Sequence, residues 1–310
     1  MPGATNRGRR GKNDRGFEAR VQEMSSVPFS LCSVAERRKA IMKRMSLSRR
    51  LANIALEAWG SFLWRRLRPT TISRTGLPLT LSSSSDWDVF AEIWVSGEYD
   101  EPIQRALNKP RATDPVRIVD LGANVGLFSL RCIELRNRGA LGQSLEIVAV
   151  EGVPRVFRTL TCNLDAQRRD VSLSLYLGLV GERSGSAHIY DGSYAGANAI
   201  VSANGRTSIL PLRGAHAVAS TYLDLDSILS PESQIDLLKC DIEGSESVFL
   251  RTYPHILART RLLVIEFHPT HCDIAECRRS LATSGFEREK ILRTSPTMTL
   301  EMYANRRGLR

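Results

Sequence analysis

The 310-residue chain contains no run of about eighteen uncharged apolar residues, so no transmembrane helix is expected. No apolar segment follows its polar, basic first residues, so no secretory signal is expected. A disulfide framework is missing too. The six cysteines (Cys32, Cys132, Cys162, Cys240, Cys272 and Cys277) have no such spacing, and most stand in apolar patterns where a thiol serves as a small hydrophobe. The expected compartment is therefore reducing and cytoplasmic. No Cys-x-x-Cys pair exists. His268, His271, Cys272 and Cys277 do form an H-x-x-H-C-x-x-x-x-C run, but without paired cysteines no metal is assigned to it. A magnesium ion on Asp241 and neighbouring carboxylates stays an open alternative.

Charge of one sign is scarce in most of the chain. The formal net charge of +10 is misleading as an average. Residues 1–68 carry 16 Lys and Arg against 5 Asp and Glu, whereas the remainder carries 27 against 28. The body is close to neutral and the basicity belongs to the N-terminal arm. A nucleic-acid binder more often places its basic patch on the folded domain, and this arm lacks interleaved aromatic residues.

The most informative stretch is Val116–Leu130, VRIVDLGANVGLFSL. A short apolar strand ends on Asp120. A small-residue turn, Gly122-Ala123-Asn124, follows with Gly126, and then Phe128, Cys132 and Leu135 recur at helical spacing. Strand, glycine turn and helix in that order make a nucleotide-type βα unit. Glycines supply positive φ and let ligand atoms approach the backbone. A dinucleotide loop would read G-x-G-x-x-G and present helix N–H groups to a pyrophosphate. Here the spacing differs, and an acid just before the turn repels a diphosphate. It suits a ligand bearing an ammonium and a sulfonium, which is what S-adenosylmethionine carries.

Upstream, residues 1–45 read as a basic, disordered tail, with Met24, Met42 and Met45 as alternative starts. Residues 46–84 read as a helix and a linker. Leu51, Ile54, Ala58, Phe62 and their neighbours follow helical spacing over 46–66, and Pro69–Ser84 is turn-rich. Such a helix packs on its own domain or on a partner subunit, or lies on an anionic membrane surface. In Ser85–Asp100, Val89, Phe90, Ile93 and Trp94 share one helical face and Gly97 ends it. This helix is expected beside the glycine turn, with Trp87 and Tyr99 as ligand contacts or as core.

From Val116 onward strands and helices alternate, which predicts a mostly parallel sheet with helices on both faces. A second strand, Glu146–Val150, leads to Glu151, at about the offset where nucleotide folds place a ribose-binding acid. A carboxylate fits a vicinal diol because both hydroxyls can donate to it. Val171–Val180 reads as a third strand. The Gly/Ser/Tyr-rich stretch Gly181–Asn204 has an ahead-and-back strand pattern, with Tyr190, Asp191 and Tyr194 as substrate-contact candidates and His188 as an ordinary strand residue. In IDLLKCDIEGSE, Ile235–Glu246, a buried strand leads into Lys239, Asp241 and Glu243 at alternate positions. Three charges at a strand end are costly unless paired or used, and ligands of open α/β sheets bind there. The strand Leu262–Phe267 ends similarly, on Glu266 and His268. Glu287–Leu292 and Thr299–Tyr303 supply two last strands.

DLGANVG at Asp120–Gly126, LLKCDIEGSE at Leu237–Glu246, DVFAEIWVSGEYD at Asp88–Asp100 and LLVIEFHP at Leu262–Pro269 together resemble the FkbM-type S-adenosylmethionine-dependent methyltransferases. The resemblance covers about residues 85–305, and the lysine-acid-acid-glycine segment is its most specific part. Cys240 departs mildly, standing where an aliphatic residue is usual. The resemblance implies an α/β fold, a Rossmann-like seven-stranded class I methyltransferase sheet, mostly parallel with the last strand antiparallel, over residues 85–310. It also implies O-methylation of a hydroxyl on a sugar, glycan or natural-product small molecule. On this reading Asp120, Gly122, Ala123, Asn124 and Gly126 hold the methionine end of the cofactor and Glu151 its ribose. Asp241 orients the acceptor or takes its proton, with Glu243 and His268 as second choices. Two rival readings stay open: a non-catalytic methyltransferase-like binding module, and a nucleic-acid methyltransferase using the basic arm. Against the latter, no N/D-P-P-Y/F segment for exocyclic amines is present.

Overall fold

The computed structural model describes residues 70–108, 115–139, 143–191, 200–201 and 216–307. The tail expected at 1–45 and the helix expected at 46–66 lie outside these residues, as does Tyr194.

Seven strands form the central sheet: β3 (Val116–Leu121), β4 (Leu145–Glu151), β5 (Ser172–Leu177), β9 (Ile235–Cys240), β10 (Thr260–Phe267), β11 (Phe286–Thr294) and β12 (Thr299–Asn305). Their spatial order is β11-β12-β10-β9-β3-β4-β5. β9, β3, β4, β5 and β10 run parallel, while β12 runs antiparallel to both β10 and β11. The seven-stranded, mostly parallel sheet with its last strand reversed is the one expected. The inner strands read as continuous apolar runs because they are covered on both faces; every residue of β9 is buried. β11 instead exposes Glu287, Arg288, Glu289 and Lys290. Charges on an edge strand discourage pairing with another chain.

The helices pack in two layers. On one face, α2 (Asp100–Leu107), α3 (Leu127–Gly139) and α4 (Pro154–Asp165) bury Ile103, Phe128, Leu130, Ile133 and Leu160. On the other face, α5 (Leu225–Ile228), α6 (Glu246–Thr252), α7 (Pro254–Ala258) and α8 (Ile274–Thr283) bury Leu225, Phe249, Tyr253, Ile256 and Leu281. Among the described residues no helix is long and apolar enough to cross a membrane.

The turn-rich stretch read as linker is a hairpin packed on the domain. β1 (Thr70–Ile72) pairs with β2 (Pro78–Thr80), and Leu77, Leu79 and Leu81 are buried. The hairpin turn is held by the buried Glu134 of α3, which accepts from Ser73 Oγ at 2.6 Å and from Thr75. Asn163 of α4 bonds Thr80 through both backbone groups. These long-range bonds could not be read from local composition.

α1 (Ser84–Phe90) starts on a capping box made by Ser83 and Asp86, and continues as a π-helical turn over Ala91–Val95. As expected, it lies beside the glycine turn. Trp94 Nε1 donates to the carbonyl of Leu127 at 3.1 Å. Arg131 of α3 pairs with Asp100 at 2.7 and 2.5 Å and stacks on Trp94. Tyr99 is buried edge-on against Phe128, and Trp87 is half exposed.

The insertion after β5 does form a pair of strands. β6 (Ser186–Asp191) pairs antiparallel with β7 (Ile200–Val201). It pairs along its whole length with β8 (His216–Thr221), a strand the sequence analysis did not assign. HAVAST has little large apolar content, and its strand character comes from the neighbour it pairs with.

Candidate active site

The site lies where the sheet reverses direction, between β3 and β9, at their C-terminal ends. Ligands of open α/β sheets bind in this crevice. The turn after β3 passes so close to the segment after β9 that a Cβ on Gly122 would sit 1.7 Å from the carbonyl oxygen of Asp241. Gly122 also has φ +75°, so both sterics and backbone conformation demand glycine. Gly126, at φ +87°, packs where a Cβ would press on Leu160 of α4. Gly122 N and Ala123 N donate to the carbonyl of Val150 at 3.0 and 2.9 Å, which ties the turn to β4.

Glu151, at the end of β4, fixes the turn from the other side. Its two carboxylate oxygens accept from Asn124 N at 2.9 Å and Val153 N at 2.8 Å. Burial pushes its carboxyl up against the pull of these two amides. Asn124 takes a left-handed φ of 51°, which aims its amide at Glu151.

A cavity opens on this turn, lined by Gly122, Asn124, Glu151, Leu179, Asp241 and Glu243 among others. Three of the six residues expected to bind cofactor therefore line it. The other three, Asp120, Ala123 and Gly126, are buried behind the lining. Asp120 has none of its surface exposed. It faces Lys239, its neighbour on β9, at 3.2 Å and accepts from Ser129 Oγ at 2.8 Å. Lys239 Nζ in turn donates to the carbonyl of Gly122 at 2.7 Å. Burial works against the Lys239 charge, but Asp120 and Asp241 outweigh it and hold the ammonium above the usual lysine range. The conspicuous acid before the glycine turn thus forms a buried pair that props the turn from below.

Lys239, Asp241 and Glu243 do not share one strand face as their alternation suggested. β9 ends at Cys240, so Asp241 and Glu243 belong to the following loop, where Glu243 takes a left-handed φ of 50°. The chain turns there because it must pass over Gly122. Lys239 goes beneath the glycine turn, while Asp241 and Glu243 face the cavity.

His268, just after β10, joins them. Its Nδ1 is 3.0 Å from Glu246 Oε1, and its Nε2 is 3.4 Å from Glu243 and 3.5 Å from Glu266. Burial disfavours its charge, but Glu246, Glu266 and Glu243 together push its pKa up to about 12. In this state the ring is an imidazolium and donates rather than accepts. Burial and the nearby Asp241 push the Glu243 carboxyl up to about 8, against the pull of His268.

Sequence reasoning missed one part of this rim. Arg293 of β11 reaches over to pair with Glu92, with Glu98 at 3.5 Å and with Glu266 at 3.3 Å. It ties the upstream π-helical turn to the end of β10. Nothing in EKILRT marks that arginine, since its partners are 27 and about 200 residues away in sequence. The apolar wall of the cavity, Leu179, Val180 and Ile189, was likewise not singled out. Among the described residues, His271, Cys272 and Cys277 form no metal-binding group with His268.

A seven-stranded sheet with one reversed strand, a glycine turn after its first parallel strand and an acid ending the next define a class I S-adenosylmethionine-dependent methyltransferase. The family model described as "Methyltransferase FkbM domain" matches residues 120–290. The chain belongs to this family, whose methyl donor is S-adenosylmethionine. Comparison with curated proteins gave no match. Among solved structures, it is similar to Aeropyrum pernix fibrillarin in complex with natively bound S-adenosyl-L-methionine. There the identity is 12%, covering 67% of this chain and 74% of that one, with a TM-score of 0.38. The methyltransferase domain of METTL16 is 10% identical, over 78% of this chain and 88% of that one, with a TM-score of 0.41. The ribosomal protein L11 methylase of Lactobacillus delbrueckii subsp. bulgaricus is 11% identical, over 67% and 79%, with a TM-score of 0.35.

The residues present fit the cofactor. Glu151 has lone pairs left for a ribose diol beyond the two amides it accepts from, and the lining supplies apolar surface in Val153 and Leu179.

Proposed function

We propose that this chain is an O-methyltransferase acting on a hydroxyl of a sugar, glycan or natural-product small molecule. The observation that carries the reading is one cavity bordered by both residue sets. Gly122, Asn124 and Glu151 border it on one side, and Asp241 and Glu243 on the other. S-adenosylmethionine supplies a methyl group on a positively charged sulfur. Glu151 holds the ribose, and the turn Gly122-Ala123-Asn124 with Gly126 shapes the methionine end. Asp120 acts from beneath through Lys239.

Transfer needs the acceptor oxygen in line with the methyl carbon and a destination for the hydroxyl proton. Asp241 orients the hydroxyl and accepts that proton, and Glu243 flanks it. His268 holds the carboxylates of Glu243, Glu246 and Glu266 in place. The reading places the enzyme in the cytoplasm.

The test is calorimetric titration with S-adenosylhomocysteine, followed by labelled methyl donor with glycan acceptors. Asp241→Asn is expected to keep cofactor binding and to lose about 10²–10⁴-fold in turnover. Wild-type protein that does not bind S-adenosylhomocysteine would be a binding module instead, and the proposal would fall.

A further inference from the structure

Three side chains of the acceptor rim converge in the manner of a cation site. One oxygen of Asp241, one of Glu243 and a ring nitrogen of His268 all lie within 4.8 Å of one another, and all three residues are partly exposed. His268 Nε2 stands 3.4 Å from Glu243 Oε2 and 3.5 Å from Glu266 Oε1. These gaps exceed the roughly 2.7–2.9 Å of a charge-assisted hydrogen bond. The 3.4 Å between His268 Nε2 and Glu243 Oε2 is close to the spacing of about 3 Å between neighbouring ligand atoms around an ion bound at about 2.1–2.3 Å.

A second observation comes from behind the ring. Glu246, on the first turn of α6, has none of its surface exposed. Its Oε1 accepts from Gly244 N and faces His268 Nδ1, both at 3.0 Å, while its Oε2 has no hydrogen-bond partner. A buried carboxylate on one ring nitrogen is how proteins orient an imidazole whose other nitrogen binds metal. The cations nearby are already committed. Lys239 serves Asp120 and Asp241, and Arg293 serves Glu92, Glu98 and Glu266. Among the described residues, neither Glu243 nor Glu246 pairs with a lysine or arginine.

We infer that Asp241, Glu243 and His268 Nε2 form a divalent-cation site at the acceptor side of the cavity. The inference rests on reading this rim as the place where the acceptor binds. Two carboxylates and one imidazole suit Mn²⁺ better than Mg²⁺, which prefers oxygen ligands alone. On binding, the ion replaces the Nε2 proton, which leaves to solvent. Its open positions take an acceptor hydroxyl, or two adjacent ones. As a Lewis acid it makes that hydroxyl proton easier to remove. The proton then goes to the Asp241 carboxylate oxygen that does not bind the ion, as the new C–O bond forms and the C–S bond breaks.

The full-length chain, stripped with a chelator, is titrated with MnCl₂ by electron paramagnetic resonance, and in parallel with S-adenosylhomocysteine by calorimetry. One Mn²⁺ per chain is expected. Asp241→Asn and Glu243→Gln should each weaken it tenfold or more. His271→Gln, at an exposed position nearby, should leave it unchanged. Asp241 and Glu243 are both partly exposed, and circular dichroism of each variant shows whether it is folded before its Mn²⁺ affinity is read. Wild-type protein that binds S-adenosylhomocysteine but no Mn²⁺ at about 1 mM overturns the cation site and leaves the methyltransferase reading standing. Mn²⁺ binding that survives both carboxylate variants overturns it as well. Mn²⁺ binding without S-adenosylhomocysteine binding sinks the methyltransferase reading alone.

Discussion

Replacing Lys239 with methionine tests whether the buried pair beneath the glycine turn holds the site together. Asp120 has no exposed surface, and its Oδ1 has no hydrogen-bond partner, only the Lys239 ammonium at 3.2 Å. Methionine keeps the length and apolar stem of lysine but leaves Asp120 with Ser129 alone. Removing one member of a buried ion pair costs about 3–5 kcal/mol, because the other charge stays buried and uncompensated. The bond to the Gly122 carbonyl, at 2.7 Å, adds about 1 kcal/mol to the loss. With a urea slope of about 2–3 kcal/mol per molar, the unfolding midpoint should fall by about 1.3–3 M. The second arm is Asp120→Asn with Lys239→Met, which removes both charges. Neutral replacement of a buried pair is often close to neutral in stability, so the double variant should recover most of the loss. Both variants should bind S-adenosylhomocysteine more weakly, since each frees the Gly122 carbonyl. A single variant that loses less than about 1 kcal/mol, or a double variant that recovers nothing, would refute the buried-pair argument.

Two further predictions follow from named contacts. Gly122→Ala should destabilise the protein by about 1–3 kcal/mol and abolish S-adenosylhomocysteine binding, since the new Cβ meets the Asp241 carbonyl at 1.7 Å; unchanged affinity by calorimetry would show that the two loops do not touch as described. Glu98 sits against Arg293, Glu92 and Glu266, and burial pushes its carboxyl up to about 7. A raised carboxyl stabilises the fold in its protonated form. That stability is complete below the unfolded value near 4.5 and is lost as pH rises through about 7. Glu98→Gln stays neutral, so it should gain on wild type between pH 5 and pH 8 in urea midpoints; a difference independent of pH would contradict the burial of Glu98.

The sheet was legible because its signals are local and repeated. Apolar runs such as LLVIEF, short and β-branched, read as buried strands, and a glycine-rich turn leading from such a strand into a helix reads as a ligand-side turn. The FkbM resemblance added the number of strands and the reversed last strand; the spatial order came from the structure. Glu151 was legible for a similar reason, as an acid following a buried strand at a known offset. The hairpin over residues 70–80 and strand β8 were not, because each is made by partners distant in sequence: Glu134 and Asn163 for the hairpin, β6 for β8.

The family resemblance supplied the cofactor; the amino-acid sequence by itself determined the α/β class of fold and which charged residues gather near the strand ends. These depend on residue type and periodicity, which need no knowledge of neighbours. Only the tertiary structure decided the role of each charge. Asp120 and Lys239 pair in the interior because β3 and β9 lie side by side, while Asp241 and Glu243 face the cavity because the chain turns over Gly122. Burial and pairing are properties of the packed environment, and that environment forms only when segments far apart in the chain meet.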